Sequence, residues 1–341
     1  MLRMSQIPIL LDDLPVVIVD PAGAVETMMP SLLIAGGEAD SNLRAVINGA
    51  ARRGVPYCTL LTGKNSHPTW GWDLKSDHLL VDGCLLRPSA IFIRYDVFDQ
   101  LATGDPNAAT RAFSWYTAVI GWAKAHPEVR IFNAKGLSHV ANKSFNLMLA
   151  AASGLAIPDT VVTNDIAWLS AQDADASVVK PVADGGFCQA TRDVLMSCET
   201  IANAAPQPAF VQERLVPPEV RIYRIGRHWF GFRVESDRLD YRTDRTVGLQ
   251  PIDLAPHADL IQGLDILTKH LGLDFGAADF KTCPQTGRLL FLEFNNAPMF
   301  AAFDRVCNGL VVDAILETLC KDPEIPSRTL AEREPGAKSK N

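Results

Sequence analysis

One stretch, Gly276–Phe303, constrains this chain more than any other. Gly276–Lys281 and Arg288–Phe294 read as short apolar strands, and Thr282-Cys-Pro-Gln-Thr-Gly287 between them is rich in turn residues, which predicts a β-hairpin. A hairpin symmetric about Thr286 sets Asp279 directly across from Glu293, and Asn295, two residues on, projects from the same face. Facing carboxylates repel, so a fold retains such a pair with a cation or a shared proton. Two carboxylates and an amide oxygen are hard ligands suited to Mg²⁺ that keeps some water and shares its shell with phosphates. A hairpin whose acids merely face solvent carries the same pattern.

At 341 residues the chain is too long for one small core and suggests two or three domains. Hydrophobic residues at 48% and charged residues at 21% are usual for a globular protein. A net charge of −7 argues against general binding of nucleic acid or anionic membrane, though not against a local basic groove. The seven cysteines are scattered and never form Cys-x-x-Cys, the pattern of reduced cytosolic thiols rather than of a disulfide framework or zinc site. No stretch approaches the ~18 apolar residues of a membrane span. The N-terminal segment lacks a signal-peptide cleavage pattern, so cytoplasm is the expected location.

Along the chain, residues 16–19 and 31–35 read as buried strands, and Asp40 or Ser41 can cap a helix with Leu43, Val46, Ile47 and Ala50 on one face. Tyr57–Leu61 and Ala90–Arg94 are further strands, with Asp99–Thr110 a polar loop. A helix then carries Phe113, Tyr116, Ile120 and Ala123 at helical spacing. Alternating strands and helices predict an open, mostly parallel sheet over the first ~130 residues. Arg94, at the carboxyl end of its strand, falls where ligands bind in such sheets, or forms a surface salt bridge. No Gly-x-Gly-x-x-Gly is present, which argues against a dinucleotide site.

From Ile131 the texture changes. A helix over Val140–Ser153 has Lys143 in its first turn, unfavourable for a cation unless an anion joins it there. Lys143 is thus either a phosphate contact or a solvated lysine. A strand from Ser177 ends at Lys180 and feeds Asp184-Gly-Gly186, a loop whose amides can approach phosphates, although Gly-Gly is also an ordinary turn. Asn203–Pro208 reads as a polar connector before the strand Ala209–Leu215. A hairpin turns at Gly226-Arg227, and Glu235–Thr246 is a charged loop, solvated or facing a substrate. Asp259–Leu271 is a helix stopped by Gly272, and a last helix capped near Asn308 buries Val312, Ile315, Leu316 and Leu319. The end is polar and charged, read as a disordered tail.

The order Asn142-Lys143, GLAIPDTVVTND, VVKP, FVQE, EVRIYRIG, DF and LEFNNAP resembles the ATP-grasp ligases, in the branch of ribosomal-protein glutamate ligases and graspetide (microviridin-type) synthetases. The resemblance runs from about Asn133 to Leu319. It implies an α/β chain, α+β towards its C-terminal end. The implied parts are an open α/β pre-ATP-grasp domain (1–130), a central subdomain (131–207), a C-terminal domain with the metal site (208–322) and the tail (323–341). By motif, Lys143 and Lys180 would neutralise ATP phosphates, and Gln212, Glu213, Arg214 and Leu215 would form the adenine hinge, with Glu213 nearest the amino group. Glu219 would hold the ribose, Asp279, Glu293 and Asn295 would bind Mg²⁺, and Arg221 and Arg242 would stabilise an acyl-phosphate. Leu239-Asp-Tyr-Arg242 is similar to the Asp-Trp-Arg pattern of graspetide synthetases, with Tyr241 for tryptophan.

The reaction this implies joins a carboxylate to an amine or hydroxyl at the expense of ATP. The partner is a peptide or amino-acid substrate, a precursor peptide in the macrocyclase version, and the branch allows a homodimer. Phosphoryl transfer to a carboxylate brings two anions together, so positioning and concentrated positive charge carry it. A nucleotide-binding scaffold without turnover, and a kinase that stops at phosphoryl transfer, are the other readings.

Overall fold

The computed structural model describes residues 31–136, 142–182, 187–236, 238–239 and 246–320. The strand expected at 16–19, the glycine loop, Tyr241 and Arg242, and the tail lie outside the described residues.

The N-terminal part runs β1 (Leu32–Gly37), α1 (Ser41–Arg52), β2 (Tyr57–Thr62), β3 (Trp70–Asp73), β4 (His78–Val81), β5 (Cys84–Leu86), β6 (Ala90–Ile93), α2 (Phe98–Thr103), α3 (Ala108–Ala125) and β7 (Arg130–Ile131). A parallel sheet forms in the order β2-β1-β6-β7. Leu32 and Ile34 of β1 enter one core and Leu33 and Ala35 another, as a strand covered on both faces requires. Asp40 caps α1 by accepting the Asn42 N–H at 2.7 Å.

Three local expectations differ. Asp99–Thr110 is not all loop: α2 fills its first half, begun where the Asp96 carboxylate accepts the Phe98 N–H at 2.8 Å. In α3 the buried positions are Ala108, Ala112, Val119, Trp122 and Ala123, while Phe113 is 62% exposed. That helix is apolar around most of its circumference, so spacing alone does not select a face. The unexpected antiparallel sheet β3-β4-β5 covers α3, with Leu79, Val81 and Leu86 packed on Val119 and Trp122.

His126 closes that layer. Its ring stacks on Trp122 and its two nitrogens lie 2.7 Å from the Trp122 carbonyl and 2.9 Å from the Asp77 carboxylate. Both partners are acceptors, which favours the imidazolium. Burial alone pulls the pKa down, but these hydrogen bonds and the Asp77 charge leave it raised. The raised folded pKa means the stabilisation is fully present below the unfolded value, about 6.5, and is lost as pH rises through the folded one. Melting temperature measured from pH 5.5 to 8.5 should show wild type above Asp77→Asn at the acid end, with the gap closing towards the alkaline end. A gap independent of pH would refute this reading.

The middle part contains α4 (Lys143–Ala152), β8 (Thr160–Asp165), α5 (Ile166–Ser170), β9 (Ser177–Pro181), β10 (Gln189–Ala190), α6 (Thr191–Ser197) and β11 (Ala204–Glu213). Its sheet has the order β10-β9-β11-β8, antiparallel throughout. The expected connector Asn203–Pro208 therefore contains the start of β11, and a division at 207/208 falls inside that strand. β11 pairs with β8 and β9, so its residues belong to this sheet through Glu213.

The last part runs β12 (Val216–Ile225), β13 (His228–Glu235), β14 (Gly248–Ile252), α7 (Ala258–Leu271), β15 (Phe275–Thr282), β16 (Leu289–Asn295), α8 (Ala301–Val306) and α9 (Leu310–Cys320). The sheet order is β14-β13-β12-β15-β16. Gly272 ends α7 at φ +68°, and a Cβ there would lie 2.2 Å from the Lys135 carbonyl oxygen, so both conformation and space demand glycine. Near the start of α9 the Asp304 carboxylate accepts the Val312 N–H at 2.9 Å.

One sheet face, Val220, Ile222, Ala278, Phe280 and Phe291, packs on Leu264, Leu267 and Leu271 of α7. The other, with Tyr223, Ile225, Phe275 and Ala277, joins Leu32, Ile34 and Phe92 of the N-terminal sheet and Val312 and Ile315 of α9 in one continuous core. α1 crosses α9 where a Cβ on Gly49 would sit 2.3 Å from Val312. The first and last parts of the chain are thus fused through a shared interior.

Candidate functional site

The β15–β16 hairpin has the expected register. Asp279 pairs with Glu293, and Asn295 pairs with Ala277 on the same face. Beyond Glu293 the register shifts by one, so that Phe280 opposes Phe291 and Leu292 is the extra residue of a β-bulge. A bulge bends its strand and re-aims the neighbouring side chains. Here it lets Phe291 turn into the core beneath while Leu292 and Glu293 both line the cleft above. The Phe291 N–H is taken up by the Ala156 carbonyl at 2.8 Å.

On its other side β15 pairs with β12, which brings Arg221 opposite Asp279 and Glu219 opposite Lys281. Because side chains alternate along a strand, Glu219, Arg221, Asp279 and Lys281 share one face. Along β12 that face changes from buried Ile225 and Tyr223, inside the shared core, to Arg221 and Glu219 at the cleft. Arg221 Nη1 lies 3.2 Å from Asp279 Oδ1, both nearly buried, with the guanidinium over the rings of Tyr223 and Phe303. From α4, Lys143 Nζ lies 3.6 Å from Glu293 Oε2. Each of the two facing carboxylates therefore has a cation beside it.

The cleft lies between this sheet and the middle one, with about 1040 Å³ between its walls, open solvent included. Lys143, Lys180, Arg221 and Lys281 line it together with Glu213, Glu219, Asp279 and Glu293. The balance of four cations against four carboxylates contrasts with the acidity of the whole chain. Phe210, Leu147, Val178, Leu215 and Leu292 add an apolar wall on which a flat ring could lie. Lys180 is half-buried, and among the described residues it makes no hydrogen bond or ion pair. Burial lowers its pKa and neighbouring Lys281 adds to this, partly offset by Cys188, Glu293 and Glu219.

Of the residues singled out from sequence, Lys143, Lys180, Gln212, Glu213, Leu215, Glu219, Arg221, Asp279, Glu293 and Asn295 come together in this cleft. Arg214 does not: it lies one residue past the end of β11 with its side chain exposed, and its backbone N–H donates to the Ala176 carbonyl at 2.7 Å at the hinge. Glu213 is already engaged, its Oε1 accepting the Asp159 N–H at 3.1 Å. Gln212 Nε2 donates to Thr160 Oγ1 at 2.9 Å. Arg94 does not lie on the surface: it is buried, with Nε 2.6 Å from Asp40 Oδ2.

Sequence reasoning missed Lys281. Its Nζ lies 3.6 Å from Glu219 Oε2 and donates to the Leu239 carbonyl at 3.2 Å, so it holds the proposed ribose carboxylate from below. The signal was available, since Lys281 follows Asp279 by two on one strand.

The donor set can be judged against a metal. Among the described residues there is no group of three or more His, Cys, Asp or Glu that could hold an ion by itself. Two carboxylates and an amide at the wall of an open cleft fit a hard cation whose remaining ligands come from water and phosphate. No described helix is long and apolar enough to cross a membrane.

No protein-family model and no curated protein matches the sequence. Solved structures do. ATP-grasp ligase PsnB complexed with minimal precursor, Mg and ADP aligns with TM-score 0.63 and 21% identity over 85% of this chain and 97% of that one. Macrocyclase MdnC bound with precursor peptide MdnA, from Microcystis aeruginosa MRC, aligns at 0.62 and 21% over 86% and 99%. VanG D-Ala:D-Ser ligase from Enterococcus faecalis aligns at 0.52 and 15% over 85% and 98%. At such identities these likenesses establish the fold: this chain has the ATP-grasp fold.

Proposed function

We propose that this protein is an ATP-dependent ligase that activates a carboxylate as its acyl-phosphate and joins it to an amine or hydroxyl of a peptide substrate, releasing ADP and phosphate. The observation that carries the reading is Lys180. A half-buried ammonium without a hydrogen bond or ion pair among the described residues calls for an anion, and it lines a cleft that also holds Asp279, Glu293 and Asn295.

Each residue then has a part. Lys143 from α4 and Lys180 from the middle sheet bind phosphate oxygens. Gln212 to Leu215 orient the base against the apolar wall, Arg214 through its backbone alone. Glu219, steadied by Lys281, orients the ribose hydroxyls. Asp279, Glu293 and Asn295 would hold Mg²⁺, which when bound supplies charge neutralisation to the phosphates that ATP brings. Arg221 stabilises negative charge on the acyl-phosphate side, with Arg242 assigned beside it by resemblance.

A peptide as acceptor and donor is favoured because PsnB and MdnC are both seen with precursor peptides. The likeness to a D-Ala:D-Ser ligase supports a second version, in which an amino acid is joined to a separate acceptor. Intact mass spectrometry of candidate peptides and small amines, incubated with protein, ATP and Mg²⁺, separates these. Loss of one water from a peptide identifies an intramolecular ligase, and a gain of one residue mass an intermolecular one. A stable phosphorylated product would replace ligation by a kinase reading. ATP left intact with every acceptor would leave only the scaffold.

A further inference from the structure

We propose that Arg94 and Asn42, far from the cleft in sequence, are positioning residues for Asn295, holding the loop that follows it through a clamp built by the N-terminal sheet. This rests on the metal reading of Asp279, Glu293 and Asn295 given above.

Asn295 is the last residue of β16, and the segment Asn296–Phe300 that leaves it has no regular structure of its own. Its backbone groups are instead bound by side chains from elsewhere. Arg94 Nη1 donates to the Pro298 carbonyl at 2.9 Å. Asn42 Oδ1 accepts both the Phe300 and Ala301 N–H groups, at 2.7 and 2.8 Å. The Asn133 amide donates to the Asn296 carbonyl at 3.1 Å, and the Tyr223 hydroxyl to that of Met299. Asp40 ties the clamp together, with Oδ2 2.6 Å from Arg94 Nε and Oδ1 accepting the Asn42 amide at 2.7 Å. The Arg94 and Asp40 side chains are only 5% and 1% exposed.

A buried ion pair is weak evidence for stability, because desolvation offsets its attraction. Its directional use is better grounded. Arg94 is a rigid fork with one arm on Asp40 and another on the loop, and Asn42 reads two successive amides at once. The loop starts at a ligand carried on an edge strand, with no further strand to hold it. These contacts reach the backbone three to six residues beyond Asn295 and act on it through the chain, as outer partners of a metal ligand set its orientation and change metal affinity when removed.

The test is Mn²⁺ titration of the full chain in the presence of ADP, followed by the electron paramagnetic resonance of free Mn²⁺. Arg94→Lys keeps the charge beside Asp40 but loses the fork, and Asn42→Ala removes the amide. Each should weaken Mn²⁺ binding by about tenfold, with binding of a fluorescent ADP in chelator unchanged. Val119→Ala, in the N-terminal core away from the loop, should lower the melting temperature and leave Mn²⁺ affinity alone. Wild-type Mn²⁺ affinity in Arg94→Lys, or an equal loss in Val119→Ala, overturns the clamp while leaving the metal reading standing. Wild type that takes up no Mn²⁺ with ADP sinks the metal reading and the clamp together.

Discussion

Glu293→Gln should lower ATP turnover by on the order of 10²–10³-fold or more while the protein stays folded. The substitution keeps volume and shape and removes a full negative charge. Glu293 is partly exposed and its neighbour Lys143 lies 3.6 Å away, so losing that pair changes stability by no more than about 1 kcal/mol. The charge matters to the proposed chemistry because, among the described residues, Asp279 and Glu293 are the two carboxylates that face each other in this part of the cleft. With one gone, Asp279 and Asn295 form too weak a donor set for a hard divalent cation. Release of ADP, read by a coupled assay beside a thermal melt, decides the matter. Turnover at the wild-type rate in a normally melting variant would remove Glu293 from the metal site.

Lys180→Met should move affinity and stability in opposite directions. Burial holds the Lys180 pKa below its ordinary value, so at neutral pH keeping this ammonium charged works against the folded state. A methionine of similar length removes that penalty, and the nucleotide-free melting temperature should rise or hold. The same change removes the cation proposed to meet a phosphate. ATP affinity should fall roughly 10- to 100-fold, the scale of a charge-assisted contact of about 1.5–3 kcal/mol. Fluorescent-nucleotide binding and calorimetry on one preparation give both numbers. A lower melting temperature with unchanged affinity would mean that Lys180 is a structural residue.

The two predictions concern the parts of the site most and least visible in one dimension. The opposition of Asp279 and Glu293 follows from turn residues and period-2 alternation, local rules acting over fifteen residues, and the hairpin obeys them. Lys281 obeys the same rule and was available to it. The bulge at Leu292 was not: an extra residue in one strand is stabilised by what lies beneath and beside it, here the α7 core and the Ala156 carbonyl. Arg214 shows the limit of carrying a motif over whole, since it lies past the end of β11 with its side chain exposed while Gln212, Glu213 and Leu215 line the cleft.

Helix and strand positions through most of the chain were likewise legible, because apolar spacing and caps are local. Capping by Asp40, the stop at Gly272 and the buried face of α9 all follow from neighbours in sequence. The face of α3 and the sheet β3-β4-β5 were not, because a helix apolar on many sides takes its orientation from what packs on it.

What the sequence determined by itself, then, is much of the inventory: many of the strands and helices, which charged residues share a face of the hairpin, and that two carboxylates oppose each other. Only the tertiary structure decided that Lys180 from another sheet and Lys143 from α4 come to the cleft of those carboxylates, and that Arg94 is buried against residues more than two hundred positions away. The physical reason is separation along the chain. Local periodicity specifies direction relative to a strand or helix axis, whereas the meeting of distant side chains depends on how whole elements bury their apolar faces against one another.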